Sequence, residues 1–103
     1  MEIVVVDDCS TDNSIEVIKQ YPVKLIQNTK NVGCGMSRRN GILEATGDYL
    51  MFLDSDDYFG NNEYFQLLIN EIKATNPDMI NSGFTYIDPN GNILQERKPD
   101  YLV

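Results

Sequence analysis

The chain has 103 residues, 42% of them hydrophobic and 23% charged, which is the size and composition of one small globular domain. Sixteen acidic residues against eight basic ones give a net charge of −8, and this argues against nucleic acid as a partner, because phosphates attract basic surfaces. No apolar run approaches the roughly 18 residues of a membrane span, the N-terminus does not read as a signal peptide, and the two cysteines lack the spacing of a zinc site.

The first half of the chain alternates strand patterns with helix patterns. The β-branched run at 3–6 and the apolar run DYLMFLD at 48–54 are typical of strands that are buried on both faces in parallel sheets. Asn13 and Glu16 have capping-box spacing, which predicts a helix start near them. In chain order we predict a strand at 3–6, a helix at 12–20, a strand at 23–28, a loop with two glycines at 28–35, a helix from there to Gly47 and a strand at 48–54.

The second half of the chain contains the clearest helix pattern. Four apolar residues recur at helical spacing on one face: Phe65, Leu68, Ile69 and Ile72. Asn61 or Asn62 can cap this helix, which should end before Pro77. After it, 79–88 predicts a strand, DPNGN a turn, and NILQERK the partner strand of a hairpin.

This order of elements predicts an α/β fold, with an open and mostly parallel sheet flanked by helices. In such sheets ligands bind beyond the carboxyl ends of the strands. Asp7 and Asp8 follow one predicted strand, whereas Asp54, Asp56 and Asp57 follow another. We therefore expect the two acidic clusters to face the same crevice.

The carboxylates at alternate positions, Asp54 and Asp56, suit a hard divalent cation such as Mg²⁺ or Mn²⁺. Such a cation would reduce the repulsion between the carboxylates and would supply the positive charge that an acidic domain needs to bind phosphate. A D-x-D pattern alone is a weak signal, and a solvated acidic turn explains many isolated cases. The second acidic pair at another strand end favours the metal site.

Two stretches, VVVDDCSTDNS and NVGCGMSRRNGILEATGDYLMFLDSDDY, resemble the GT-A fold glycosyltransferases of the inverting family 2. Their order and spacing match that family across residues 3–57. The resemblance implies a Rossmann-like nucleotide-sugar-binding subdomain. It also implies metal-dependent transfer of a sugar from a nucleotide-sugar donor, with UDP-sugar favoured, to a hydroxyl of a sugar or lipid-linked acceptor.

The resemblance assigns roles to five residues of this chain. Asp8 would accept a hydrogen bond from the nucleotide base, with Asp7 beside it as a structural or ribose contact. Arg38 would pack against the base or the rest of the nucleotide. Asp56 would be the principal metal ligand, and Asp54 would assist through the ribose or the outer coordination of the metal.

The resemblance also implies that the chain, residues 1–103, is a partial donor-binding domain and a single one. It would lack the family's first strand and its acceptor-binding half, so no catalytic residue is assigned, the catalytic base is expected beyond Val103, and the chain alone should be inactive. Strands left exposed by the missing one would re-pair, or would join copies into a homo-oligomer. The parent enzyme is expected in the cytoplasm, at the inner membrane face. Cys9 and Arg39 depart from the family pattern, which has glycine and asparagine there.

Two alternatives remain open at this point. One is a non-catalytic module that binds the nucleotide without chemistry. The other is a signalling receiver domain, in which Asp7 and Asp8 would accompany a phospho-accepting Asp54, with Thr85 and Lys98 as switch residues. The receiver interpretation leaves NVGCGMSRRNG without a role, and SDDYFG lacks the Met-Pro expected after the acceptor aspartate.

Overall fold

The computed structural model describes residues 1–99, and the chain divides into two compact units, Met1–Tyr58 and a second that begins at Phe59. The expectation of one partial domain over residues 1–103 stays a prediction, and residues 100–103 lie outside the described range. Among the described helices, none has the length and apolar character required to cross a bilayer.

The first unit is a parallel strand pair with helices. Its elements are β1 Val4–Asp7, α1 Ser14–Ile18, β2 Lys24–Gln27 and α2 Cys34–Glu44. β1 and β2 are parallel, with Val4 opposite Lys24 and Asp7 opposite Gln27. α2 packs on β1, where a Cβ on Gly41 would lie 3.3 Å from Cγ2 of Val6. The predicted α/β class is confirmed, and the pairing of β1 with β2 is parallel, as expected for such a sheet.

The start of α1 differs from the predicted capping box. Asn13 occupies the N-cap position but makes no side-chain capping hydrogen bond. Instead, Oδ1 of Asp12 accepts hydrogen bonds from the backbone N–H of Ser14 at 2.9 Å and from its hydroxyl at 2.5 Å. A charged carboxylate is a stronger acceptor than a neutral amide, so the acceptor one residue earlier satisfies the orphan N–H.

The predicted buried strand at 48–54 is wrong, because this segment forms no strand. In the part of the chain that the structure describes, β1 has β2 as its one hydrogen-bonded neighbour. Apolar side chains from Tyr49, 42% exposed, to Leu53, 51% exposed, remain half in solvent. A strand requires a neighbour to satisfy its backbone N–H and C=O groups, and no described strand supplies one. The run at 3–6 is likewise half-buried at most, since Ile3 is exposed.

The second unit contains α3, Tyr64–Thr75, followed by a hairpin. Phe65, Leu68 and Ile72 are the less exposed positions of α3, as the spacing predicted, whereas Ile69 is 43% exposed. The ring of Phe59 packs against Tyr64 and Phe65, with centroids 5.3 and 4.6 Å away. The helix ends before Pro77 as predicted.

Among the described residues, neither end of α3 has a side-chain capping hydrogen bond from its own cap residue. Its N-cap is Glu63, which makes no side-chain capping bond, while Oδ1 of Asn61 accepts a hydrogen bond from the N–H of Glu63 at 3.0 Å. Its C-cap, Asn76, is left-handed with φ 45°. Asparagine tolerates this conformation better than most residues.

The hairpin pairs β3, Phe84–Ile87, with β4, Ile93–Arg97, in antiparallel orientation. Asp88 organises the turn between them: Oδ1 accepts hydrogen bonds from the N–H groups of Asn90 and Asn92 at 2.8 and 2.9 Å. The predicted turn and the hairpin partner are confirmed. The strand predicted at 79–88 is shorter, because its residues before Phe84 are outside the ladder.

Candidate functional site

The carboxylate of Asp8, at the end of β1, is hydrogen-bonded to the loop that opens α2. Its Oδ1 accepts a hydrogen bond from the N–H of Val32 at 2.8 Å, and its Oδ2 accepts one from the N–H of Gly33 at 2.7 Å. Gly33 has φ +83°, a conformation that favours glycine, and it forms the N-cap of α2. Asp8 therefore connects the carboxyl end of β1 to the start of α2 across 25 positions of sequence.

These contacts stabilise the charged form of Asp8. The hydrogen bond from the Val32 backbone, followed by one from the Asn28 side chain, lowers the pKa of the Asp8 carboxyl, because accepted hydrogen bonds favour the carboxylate. In the described residues Asp8 has no ion pair, so neutral hydrogen-bond donors compensate its charge, the Ser37 side chain among them.

Asn28, which directly follows β2, is the centre of a polar network that the sequence interpretation missed. Its Nδ2 donates to Oδ1 of Asp8 and to Oγ of Ser37, both at 3.0 Å, and its Oδ1 accepts from Nδ2 of Asn40 at 2.9 Å. Its backbone N–H donates to the carbonyl of Asp7 at 2.9 Å. The available signal was the pair Ser37 and Asn40, polar residues one helical turn apart on the face of α2 that meets the strand ends.

Asp7 is buried, with 8% of its surface exposed, and its carboxylate accepts from the N–H of Ser10 at 3.2 and 3.3 Å. These contacts hold the chain where it turns out of β1. Cys9 lies inside this turn with φ 66°, and its thiol donates to the carbonyl of Asn28 at 3.2 Å. The position at which the family pattern has glycine is therefore left-handed in this chain.

We expect Cys9→Gly to be more stable than Cys9→Ala by about 1 kcal/mol, because an L side chain is strained in the left-handed region. Both variants lose the thiol hydrogen bond, so their difference isolates the backbone effect. Urea denaturation of the two proteins measures it. Equal unfolding midpoints would show that the positive φ at this position carries no strain.

Arg38, on the second turn of α2, pairs with Asp54. Nη2 of Arg38 lies 2.5 Å from Oδ1 of Asp54, and the two side chains are 44% and 54% exposed. Gly33 and Arg38 are five residues apart, about 7 Å along a helix axis. α2 thus contacts Asp8 at its start and Asp54 one turn later, which connects both predicted acidic clusters to one helix.

The acidic loop is a tight turn, in which the N–H of Asp57 donates to the carbonyl of Asp54 at 3.1 Å. In the part of the chain that the structure describes, the carboxylates of Asp56 and Asp57 make no hydrogen bond or ion pair. Asp54 has one oxygen on Arg38 and a second without such a partner. Within that same part, no three acidic or cysteine side chains cluster so that they could hold a metal by themselves.

This donor set fits a cation that is shared with a ligand. Mg²⁺ is usually bound by one or two carboxylates together with waters and substrate phosphates, and it requires no complete protein cage. Asp56 is free to be such a carboxylate, and Asp54 could assist through its second oxygen. The assigned roles of Asp7, Asp8, Arg38, Asp54 and Asp56 toward nucleotide and metal stay predictions.

The sequence is similar to known proteins along most of its length. The profile of glycosyl transferase family 2 matches residues 1–100. An uncharacterized glycosyltransferase of Haemophilus influenzae is 34% identical over 112 residues, which covers 100% of this chain and 44% of that protein. A cholesterol galactosyltransferase of Borreliella burgdorferi is 37% identical over 87 residues, covering 81% of this chain and 24% of that protein.

A third relative is a poly(ribitol-phosphate) beta-glucosyltransferase of Bacillus spizizenii, 44% identical over 66 residues, covering 58% of this chain and 10% of that protein. The chain thus spans less than half the length of each of these relatives. No solved structure matches it. Because the family profile covers nearly the whole chain, the chain belongs to glycosyl transferase family 2.

Proposed function

We propose that the chain forms the nucleotide-sugar-binding part of a metal-dependent, inverting glycosyltransferase that uses a UDP-sugar. The observation that supports this most is that both acidic clusters contact α2: Asp8 accepts a hydrogen bond from the N–H of Gly33, and Asp54 pairs with Arg38. The receiver interpretation is set aside, because the chain belongs to a transferase family.

In this proposal the residues of the chain bind and orient the donor. Asp8, compensated by neutral donors alone, can accept a further hydrogen bond from a base N–H, which the imide N–H of uracil offers. Arg38 provides a cation for the nucleotide. Asp56 would hold Mg²⁺ or Mn²⁺ with help from Asp54. When bound, the cation stabilises negative charge on the departing nucleoside diphosphate.

The acceptor is proposed from the relatives' names. These include a cholesterol galactosyltransferase and a poly(ribitol-phosphate) beta-glucosyltransferase, which differ in acceptor. Cholesterol and ribitol both offer a hydroxyl group, so a hydroxyl acceptor is the common chemistry. A general base must remove the hydroxyl proton during transfer, and we propose that it lies outside this chain, which would then be inactive alone. The parent enzyme would act in the cytoplasm, where nucleotide sugars are found, at the inner membrane face.

Calorimetric titration of UDP into the chain tests the proposal, first with Mn²⁺ and then with EDTA. We expect binding with Mn²⁺ that is at least about tenfold weaker with EDTA, because the cation bridges carboxylate and phosphate. Asp56→Ala should weaken the Mn²⁺-dependent binding to the EDTA level. Asp78→Ala, which removes an exposed carboxylate of the second unit, should leave it unchanged.

Binding of UDP that is equally strong with Mn²⁺ and with EDTA would contradict the metal-dependent form of the proposal. Absence of UDP binding under every condition would contradict the proposal for this chain. Sugar transfer by the purified chain would contradict the expectation that it is inactive alone.

A further inference from the structure

Asn28 joins three elements through one side chain. It directly follows β2, donates to Asp8 after β1, and contacts Ser37 and Asn40 on α2. Ser37 is one of two buried polar residues among those described, with 9% of its surface exposed. No apolar side chain in the described range is fully buried, so this junction is held by polar contacts together with half-buried apolar ones.

The contacts require a carboxamide. Asn28 must donate to two oxygens, on Asp8 and Ser37, and accept from the amide of Asn40. A carboxamide has two donor hydrogens and an acceptor oxygen, whereas a carboxylate has acceptors only and a hydroxyl has one donor. The O and N atoms of the Asn28 side chain are therefore distinguished by their partners.

We propose that Asn28 is a positioning residue for the nucleotide site: it fixes the Asp8 carboxylate against the 31–33 loop and so sets the start of α2, the helix that carries Arg38. This inference rests on the proposed function. Asp8 reaches the loop through the N–H groups of Val32 and Gly33, and Asn28 shares Oδ1 of Asp8 with Val32. If Asn28 no longer donates, the carboxylate can rotate, and the loop and α2 lose their fixed relation to β1.

The substitution Asn28→Asp tests this with little change in shape. It places a second carboxylate at the 3.0 Å contact with Asp8. The remaining neighbours of this side chain, Ser37 and Asn40, are neutral. Among residues 1–99, the other titratable group that hydrogen-bonds Asn28 is the Cys9 thiol, which donates to its backbone carbonyl. The Asp8 charge should raise the pKa of the introduced carboxyl above the ordinary aspartate value of about 3.9.

Two measurements are made on the 103-residue chain. Amide hydrogen exchange of Val32 and Gly33 in the free protein measures how firmly the 31–33 loop is held. The affinity for UDP with Mn²⁺ measures whether the nucleotide site is intact. At about pH 8 we expect Asn28→Asp to speed exchange at both amides and to weaken UDP binding, each by about tenfold or more, because like charges repel. Toward about pH 5 the ratio of variant to wild-type Kd should fall toward one, because a protonated carboxyl can again donate to Asp8.

Asn13→Asp is the matched control. It adds the same charge to the same unit at an exposed side chain that makes no capping hydrogen bond. Its exchange rates and its Kd ratio should equal those of the wild type at every pH. If Asn28 has a purely structural role, Asn28→Asp should lower the unfolding temperature. The ratio of variant to wild-type Kd, measured on folded protein, should then not return toward one in acid.

If Asn28→Asp does not fold at the higher pH, the same two measurements on Asn40→Ala test whether Asn28 is a positioning residue. It leaves the two donors of Asn28 in place and removes the donor to its Oδ1. We expect faster amide exchange at Val32 and Gly33 and UDP binding that is weaker by about threefold, because one neutral hydrogen bond is lost. Unchanged exchange at Val32 and Gly33, or faster exchange with unchanged UDP affinity, overturns the inference. If the wild type binds no UDP, the proposed function is contradicted, and amide exchange still decides whether Asn28 holds the loop.

Discussion

Asp8→Ala should produce the largest loss of stability among single carboxylate replacements in the first unit. It leaves the N–H groups of Val32 and Gly33 without their acceptor and removes one of the two acceptors of Nδ2 of Asn28. Removing one partner of a buried or half-buried hydrogen bond costs more than removing both. We expect a lower urea midpoint, and amide exchange at Val32 and Gly33 that is faster by roughly tenfold or more.

Asp12→Ala is the control for this prediction. Asp12 also accepts two hydrogen bonds, yet both come from Ser14, two residues away, so their loss should affect α1 alone. A urea midpoint for Asp8→Ala equal to that of Asp12→Ala would show that the contacts between β1 and α2 contribute no more than a local turn.

Protonation of Asp8 in acid should lower the stability of the protein, as Asp8→Ala does. Its folded-state pKa lies below the ordinary value of 3.8, first because of the hydrogen bond from Val32 and then because of the one from Asn28. The contribution of this group to stability is therefore fully present above about 3.8 and is lost as the pH falls through the folded-state pKa. Other carboxyls with lowered pKa values, such as Asp88, contribute too, so the difference between wild type and Asp8→Ala is measured as the pH falls. That difference should shrink in acid.

Gly83→Ala should disrupt the hairpin of the second unit. A Cβ at this position would collide with the carbonyl oxygen of Arg97 and would lie 3.2 Å from Cδ of Pro99. Arg97 pairs with Phe84 at the first rung of the ladder, so the backbone of β4 cannot move away without breaking that pair. Overpacking of this kind costs roughly 1–3 kcal/mol.

Thermal unfolding measures the loss of stability, and amide exchange at Gln95 localises the effect to the hairpin. Gly60→Ala is the matched control, because a Cβ there meets nothing within 4 Å. Comparable stability of the two variants would show that the close approach of Gly83 to β4 is not required for the hairpin.

The family and the α/β class were predictable because they depend on local order in the chain. The acidic pairs directly after apolar runs, and the spacing between motifs, are visible without any contact being known. The turn DPNGN and the end of α3 before Pro77 were predictable for the same reason, since residues within a few positions determine them.

The strand predicted at 48–54 shows where periodicity is insufficient. An apolar run can be a buried strand only if another strand pairs with it, and pairing is a property of the tertiary structure. The described strands offer no such partner, so Tyr49 to Leu53 remain about half exposed. The capping box failed at a smaller scale: Asp12 accepts from the N–H of Ser14, and the Asn13 side chain makes no capping hydrogen bond.

The sequence by itself determined which charged residues are candidates for the site: Asp7 and Asp8 at the end of β1, Arg38 on α2, and Asp54 and Asp56 in the acidic loop. Only the tertiary structure decided what the side chains of Asp8 and Asp54 contact, because their partners are 16 to 25 positions away in the chain. It placed Asp8 on the N–H groups that open α2, placed Asp54 on Arg38, and made Asn28 the junction of β1, β2 and α2. Hydrogen bonds between residues that are distant in sequence form only when the chain folds. A local sequence pattern can therefore predict the acceptor but not its donor.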